Sequence, residues 1–287
     1  MPPVKLFVDS EFRRDGSPAN FSFALPRPVE INKQYRAMVD QIHVPHTWTT
    51  VVGSYNDALY LDEVFDDVGS GGTRTTRQRK VILTAKQYSG DELATEVQAK
   101  LNTGSFLPTN AYTVTFDDSQ GKLAIQVGGA SASSVARLLP MAYLLANPAY
   151  FTGYYGEGVT ANDSADQVIG LTQLAAFAWT DTAPLALEHV SVNPFHTIYL
   201  HCDQGLGSGE DSIGPRGNSS ILRSIPVPGL YGSMIHDNSL SAHDYTLLHP
   251  GQIQTFRFRL SDKYGRDVPL SMPFSFSILL TAVDDLE

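Results

Sequence analysis

The chain has a single cysteine, Cys202, among its 287 residues, so no internal disulfide can form and any fold must be held by packing alone. Such a chain suits assembly in a reducing compartment. Charge is also sparse: 17% of the residues are charged and 42% are hydrophobic, where an ordinary soluble domain carries about 25% charged. This imbalance points to large surfaces covered by partners. Basic residues are the minority, 20 Lys and Arg against 30 Asp and Glu, and the formal charge of −10 repels a phosphate backbone at long range. Direct nucleic-acid binding is therefore not expected. No apolar run approaches the roughly 18 residues of a membrane span, so no transmembrane segment is expected. The opening Met1 to Asp9 lacks the longer apolar stretch of a signal peptide, and secretion by that route is not expected either. No internal repeat is visible.

The signatures of common catalytic sites are missing too. There is no G-x-S-x-G, no G-x-x-x-x-G-K-[ST], no H-E-x-x-H and no C-x-x-C. What remains are weaker constellations, each with a structural alternative. His43 and His46 have a metal-like separation, but Pro45 blocks the helix that would align them, so strand-end histidines are the preferred reading. His201, Cys202 and Asp203 place a thiol beside an imidazole, yet neighbours on a strand point to opposite faces, which favours a structural, buried cysteine. Asp62, Glu63, Asp66 and Asp67 would supply oxygen ligands to calcium but lack EF-hand spacing, and a solvated loop is preferred. Arg74, Arg77, Arg79 and Lys80 would meet phosphate, glycan or an acidic partner; the preferred alternative is a flexible basic loop entering a strand. Tyr143, Tyr150, Phe151, Tyr154 and Tyr155 form either a sugar platform or intersubunit anchor, or ordinary core packing. The expectation is no catalytic residue, no cofactor and no metal, hence no enzyme.

Short stretches with a period of two dominate both ends of the chain, as half-buried strands require. Phe21 to Leu25 is one; Tyr35 to Val44 is another, ended by Pro45. Ala58 to Leu61 and Lys80 to Thr84 follow. Ser89 with Glu92 makes a capping box, and Leu93, Val97 and Leu101 then recur every four residues, which predicts one amphipathic helix running to Leu101. Tyr112 to Phe116 and Leu123 to Val127 flank Asp117 to Gly121, a hairpin whose turn calls for positive φ at the glycine. Residues from about 129 to 187 are rich in Ala, Leu and Tyr with weak periodicity, and read as an insertion with short helices. Strands return at Val190 and His196 to Leu200. Gly205 to Ser220 is a Gly/Ser-rich loop, and Ile221 to Val227 and Ser233 to Ile235 resume the β pattern. Phe256 to Leu260, a turn through Asp262 to Gly265, and Phe274 to Ile278 read as a C-terminal hairpin with Arg257 and Arg259 on its polar face.

Strands at both ends with a helix in the middle imply an all-β sandwich of two antiparallel sheets whose terminal strands share those sheets. A chain of this length has room for one large all-β domain or two small ones, and it buries about 75% of its unfolded surface, enough for a real core. The expected organisation is one domain over 1–287, with an N-terminal arm at 1–18 and the insertion at approximately 129–187.

Three blocks carry a resemblance. Val8-Asp9-Ser10-Glu11-Phe12-Arg13 with Phe21 to Pro26 resembles the opening VDS-x-x-R … F-x-[IF]-x-LP of penton or minor capsid proteins from virophages, polinton-like viruses and related double-jelly-roll DNA viruses. Ser220 to Val227 with Gly232-Ser233-Met234-Ile235 is similar to that family's SIL-x-x-IPV … G-S-x-I. Phe256 to Gly265, Val268-Pro269-Leu270 and Phe274-Ser275-Phe276 resemble its closing segment. The blocks bracket nearly the whole chain, while about 140 to 187 matches nothing in the family. The resemblance implies a single jelly roll, a homopentamer at each icosahedral vertex, contacts with neighbouring major capsid proteins, and localisation to a virion assembled inside the host cell. It carries no catalytic residues. It also implies that the N-terminal arm through Phe12 lies near the capsid floor. Rival expectations are another minor or cementing capsid protein, a spike base that binds a host receptor or holds a vertex decoration through the middle segment, and a carbohydrate-binding or hydrolytic β-sandwich.

Overall fold

Alternating side chains are converted into ladders along most of the chain. The computed structural model describes residues 3–32, 34–67, 73–107, 111–128, 135–147, 163–171, 177–179, 185–204, 206, 221–239, 245–248 and 250–283. The elements run β1 (Val4–Asp9), a 3-10 turn (Ser10–Phe12), β2 (Asp15–Ser17), β3 (Asn20–Ile31) and β4 (Tyr35–Pro45). Then come β5 (Ala58–Asp67), β6 (Thr73–Ile82), α1 (Gly90–Asn102), β7 (Tyr112–Asp117), β8 (Lys122–Val127) and β9 (Val135–Leu138). They continue with α2 (Met141–Ala146), α3 (Asp166–Ile169), β10 (Phe177–Trp179) and β11 (Leu185–His189). The chain closes with β12 (Thr197–Gln204), β13 (Ile221–Pro226), β14 (Met234–Asp237), β15 (Thr246–Leu248), β16 (Gly251–Ser261) and β17 (Ser275–Ala282). Two compact units result, Met1–Trp48 with Phe195–Glu287, and Thr49–Pro194.

In the unit built from the chain ends, the main strands pair in a nested order. β1 pairs with β17, β3 with β16, β4 with β14 and β12 with β13, all antiparallel. First meets last and each inner strand meets its counterpart, which is the wrapping of a jelly roll. One sheet has the order β1-β17-β4-β14, with β15 also on β4; the other runs β13-β12-β16-β3-β2. The chain ends thus share a sheet, as the terminal alternation implied. Pro45 closes β4, and Pro26 and Pro28 interrupt the β3 ladder where its register against β16 shifts between Ile253 and Thr255, since a proline has no N–H to give. Facing side chains from the two sheets meet as rings. Phe258 lies 4.8 Å from Phe276 edge-on, Phe21 is 5.8 Å from both Phe258 and Phe274, and Phe256 stacks on Phe258 at 5.4 Å.

One expectation needs correction. Phe256 to Leu260 and Phe274 to Ile278 are not a hairpin, because β16 and β17 belong to different sheets and face each other across the core. The turn itself is present: Gly265 N–H donates to Asp262 at 3.0 Å, and Val268 N–H returns to Leu260 at 2.9 Å. Pro269 and Pro273 cannot extend that ladder, so the chain leaves β16 after one bridge, Ser261 to Asp267, and crosses to the other sheet.

The Thr49–Pro194 unit follows β4 and precedes β12. It holds two further sheets, β10-β9-β5-β6 and β11-β8-β7. Helix α1 starts at the expected capping box, with Glu92 N–H donating to Ser89 Oγ at 3.3 Å and Ser89 N–H to the Glu92 carboxylate at 2.9 Å. Its Leu93, Val97 and Leu101 are buried against β7 and β8 residues such as Val114 and Ile125. The β7–β8 hairpin turns at Gly121, with φ of +63°, and Asp117 Oδ1 accepts the Ser119 N–H at 3.0 Å. Within the stretch from 129 to 187, α2 and α3 are short helices, while β9 and β10 complete a sheet with β5. Strands return at Leu185, earlier than expected, and β11 ends one residue before Val190. The Gly205 to Ser220 loop lies outside the described residues except Leu206, which is buried.

Phe258 touches rings from both sheets. Phe258→Ala is expected to destabilise the roll by about 3–5 kcal/mol, read as a lower midpoint in urea.

Candidate functional site

The histidine pair suggested by sequence is not a pair. His43 lies on the outer face of the β1-β17-β4-β14 sheet, whereas His46 is past the end of β4 and buried. His46 organises the turn before β14. Its Nδ1 donates to the Gly229 carbonyl at 3.1 Å, its backbone N–H donates to Ser233 and its carbonyl accepts from Gly232, each at 2.9 Å. Trp48 lies tilted against the ring, 4.4 Å between centroids, and Tyr231 stands edge-on to it. Ser233 Oγ closes the turn onto the Leu230 carbonyl at 2.6 Å. Burial holds the His46 imidazole below its ordinary proton affinity, with backbone acceptors pulling the other way.

That turn presents an apolar rim. Leu230 is 80% exposed and Met234 60%, with Tyr231 between them also exposed. At the same end of the sheet, on its opposite edge, Phe12 is 75% exposed. Hydrogen bonds fix this alignment: Ser10 N–H donates to the Phe274 carbonyl, Ser271 N–H to the Thr47 side-chain Oγ1, and the His46 backbone meets the 232–233 turn. The segments carrying Phe12, Met272 and Leu230 therefore lie side by side along one end, and all three side chains are exposed. Exposed apolar groups gathered in this way mark a contact surface more often than singly scattered ones do.

His201 and Cys202 diverge along β12. Cys202 is opposite Phe258 on the core side; His201 is opposite Arg259, with Nε2 2.7 Å from Ser261 Oγ. Both are buried, and the Asp203 side chain lies outside the described residues.

The acidic and basic runs turn out to be one object. Neither is a loop: β5 extends through Asp67, and β6 covers Thr73 to Ile82, with Glu63 opposite Arg77 and Asp62 opposite Gln78. Glu63 is fully buried and accepts from Arg79 at 2.5 Å, the Tyr112 hydroxyl at 2.6 Å, Ser105 Oγ at 3.0 Å and Phe106 N–H at 2.8 Å. Arg79 also donates to the Leu101 carbonyl at 3.0 Å and the Thr103 carbonyl at 2.6 Å, at the C-terminal end of α1. Arg77 covers the Phe106 ring, and Lys80 binds Asp163 at 3.0 Å, which also accepts from the Tyr60 hydroxyl at 2.8 Å. On the opposite face of β5, burial raises the Asp62 carboxyl, while Arg137 and Gln78 lower it. The loop readings failed because these charges have partners that a one-dimensional pattern does not reveal, Arg79 for Glu63 and Asp163 for Lys80. The side chains of Asp66, Asp67 and Arg74 lie outside the described residues. Of the middle aromatics, Tyr143 packs against Met141 and Leu144, and Tyr150, Phe151, Tyr154 and Tyr155 lie outside the described residues. Among the described residues no three His, Cys, Asp or Glu side chains are grouped to hold a metal, and no helix is long and apolar enough to cross a membrane.

No family model matches the sequence, and no curated protein does either. Solved structures do match. The chain is similar to the mavirus penton protein with a TM-score of 0.51 and 10% identity, over 98% of this chain and 99% of that one. The fold is that of a viral jelly-roll penton protein. A chain from the Sputnik virophage particle aligns with a TM-score of 0.48 and 13% identity, over 99% of both chains. The likeness to the penton protein takes in residues of both units of this chain.

Two outcomes are expected. Removing the Arg79 partner from buried Glu63 with Arg79→Met should cost about 3–5 kcal/mol, read by chemical denaturation. His46 stays neutral in the fold at pH values where a free imidazole, with its ordinary value of 6.5, takes up a proton. The unfolded chain then binds more protons, so stability falls as pH drops through that value. Thermal melts between pH 7.5 and 5 should show this loss, and His46→Gln should flatten it.

Proposed function

We propose that this chain is a structural subunit of a non-enveloped viral shell: a penton protein that forms homopentamers at the icosahedral vertices and contacts neighbouring major capsid proteins. Its work is association rather than chemistry. It resides in the virion, assembled inside the host cell. In the domain reading that goes with this proposal, the chain ends form the jelly roll, the first 18 residues contribute its arm-side edge, and the Thr49–Pro194 unit, which includes the stretch at about 129–187, is set between β4 and β12.

The observation that carries the reading is the nested roll, matched along almost its whole length by a solved penton protein. The rim supports it further. A ring joins two different surfaces of each copy, and cyclic symmetry brings together patches at the same level on opposite flanks. Phe12 on the β1 side and Leu230, Tyr231 and Met234 on the β14 side meet that requirement, since they lie on opposite edges at one end of a single sheet. A chain with few charges and no disulfide is suited to such contacts, which exclude water from apolar groups already standing in it.

Light scattering and native mass spectrometry on purified protein test the proposal. Pentamers are expected, alone or when the major capsid protein is added; a monomer under every condition counts against it. Replacing Leu230 and Met234 by serine removes about 1.5–3 kcal/mol of burial per side chain at each contact. The double variant should keep its circular dichroism spectrum and dissociate at higher protein concentration than the parent.

A further inference from the structure

The register of β4 and β14 sets His43 directly opposite His236. Their Nδ1 atoms are 3.1 Å apart and the ring centroids 4.4 Å apart. Both rings stand on the outer face of the sheet, since the residues on either side of each, Ile42 and Val44 on β4 and Ile235 and Asp237 on β14, are buried. His236 is exposed and His43 half-exposed, so the pair is open to solvent at the sheet edge. Without an ion, two neutral imidazoles at this distance are joined by one hydrogen, with one Nδ1 donating to the lone pair of the other.

The separation has a second meaning. A zinc-class ion bonds imidazole nitrogen at about 2.0–2.1 Å, so two nitrogens at adjacent coordination positions lie about 2.9–3.4 Å apart. The two Nδ1 atoms already have that bite, and no strand has to move to supply it. We propose that His43 and His236 form a two-histidine site for a divalent transition cation, bound through both Nδ1 atoms with water in the remaining positions. Imidazole selects copper(II), nickel and zinc over the oxygen-seeking magnesium and calcium. Binding to the neutral pair needs only that the shared proton move from Nδ1 to Nε2 of the same ring, so none is released.

The surroundings do not oppose a cation. Across the same row on this face, β17 contributes Ser275 and β1 contributes Asp9, whose carboxylate accepts the Glu11 N–H. Lys5 is held by Asp40, and Asp237 is turned inward to Arg223. The formal charge of −10 raises the local cation concentration further. An ion bound here would tie the short edge strand β14, which directly follows the rim turn, to the central strand β4.

The test uses the full chain with copper(II), nickel, zinc and magnesium chlorides. Isothermal titration at pH 7.5 should give one ion per chain, copper tightest and magnesium absent. His43→Ala and His236→Ala should each weaken binding by about a hundredfold, because either one leaves a single ligand where two acted together. Nitrogen-15 spectra of the imidazoles should show the Nδ1 signals of both residues moving with zinc. Both side chains face solvent, so the variants should keep the parent's metal-free melting temperature. If the double alanine variant binds as tightly as the parent, if zinc moves the Nε2 signals or other histidines instead, or if no ion binds at millimolar concentration, the proposal fails. None of these outcomes depends on whether the chain forms pentamers.

Discussion

The contact between aromatic rings across the two sheets of the roll is the constraint on which that unit depends. Phe21 on β3, Phe256 and Phe258 on β16, Phe276 on β17 and Phe274 just before it form one connected set. With a single cysteine in the chain, no covalent bridge can do the same work. Edge-on pairs of this kind contribute about 0.5–1.5 kcal/mol each beyond the area they bury. The rings come from opposite ends of the sequence, and the strands that carry them need one another in the same way. Among the described residues β1 pairs only with β17, and β17 also pairs with β4, so the last strand completes a sheet begun by the first. Closing such long-range pairs costs chain entropy before any contact forms, so the ring set must be reached as a unit.

The Thr49–Pro194 unit solves the same problem with charge. Its strands β5 and β6 carry opposite charges that would be unfavourable to bury singly, and the Glu63–Arg79 pair is worth little by itself once desolvation is counted. Its value lies in geometry. Arg79 reaches two carbonyls at the end of α1, where the helix dipole is negative, and Glu63 collects donors from Tyr112, Ser105 and Phe106. A slip of β6 by one residue would turn Arg79 to the other face and leave Glu63 without its cation, so the pair fixes the register as well as the helix.

The local grammar of this fold was legible. The capping box at Ser89, the glycine turn at 121, the proline end of β4 and the inward set Phe256, Phe258 and Leu260 are written in adjacent residues, and the structure has each of them. What the sequence hid was always a relation between distant segments. The β16–β17 crossing looked like a hairpin because alternation does not state which sheet a strand joins; Pro269 and Pro273 were the available sign that the ladder would stop. The acidic and basic runs looked like loops because the partners of their charges are remote, Arg79 for Glu63 on the neighbouring strand and Asp163 for Lys80. His236 carries no signal near His43, 193 residues away, and only the β14 register brings them together. Likewise Phe12 and Leu230 are ordinary residues until the sheet places them at one end.

This division between local and distant information accounts for a fold shared with the mavirus penton protein at 10% identity. Nested pairing asks each strand for alternation, a buried ring or branched chain at the inward positions, and a proline or glycine where the ladder must stop. Many sequences meet those terms. A catalytic site would add fixed residue types at fixed places, and these tend to persist when the rest has drifted, because chemistry tolerates few substitutes. Where a fold acts through its surfaces, only shape and apolar character at the contact need survive, and these can be carried by Leu, Met, Tyr or Phe interchangeably. The exposed Phe12, Leu230, Tyr231 and Met234 of this chain are of those four residue types.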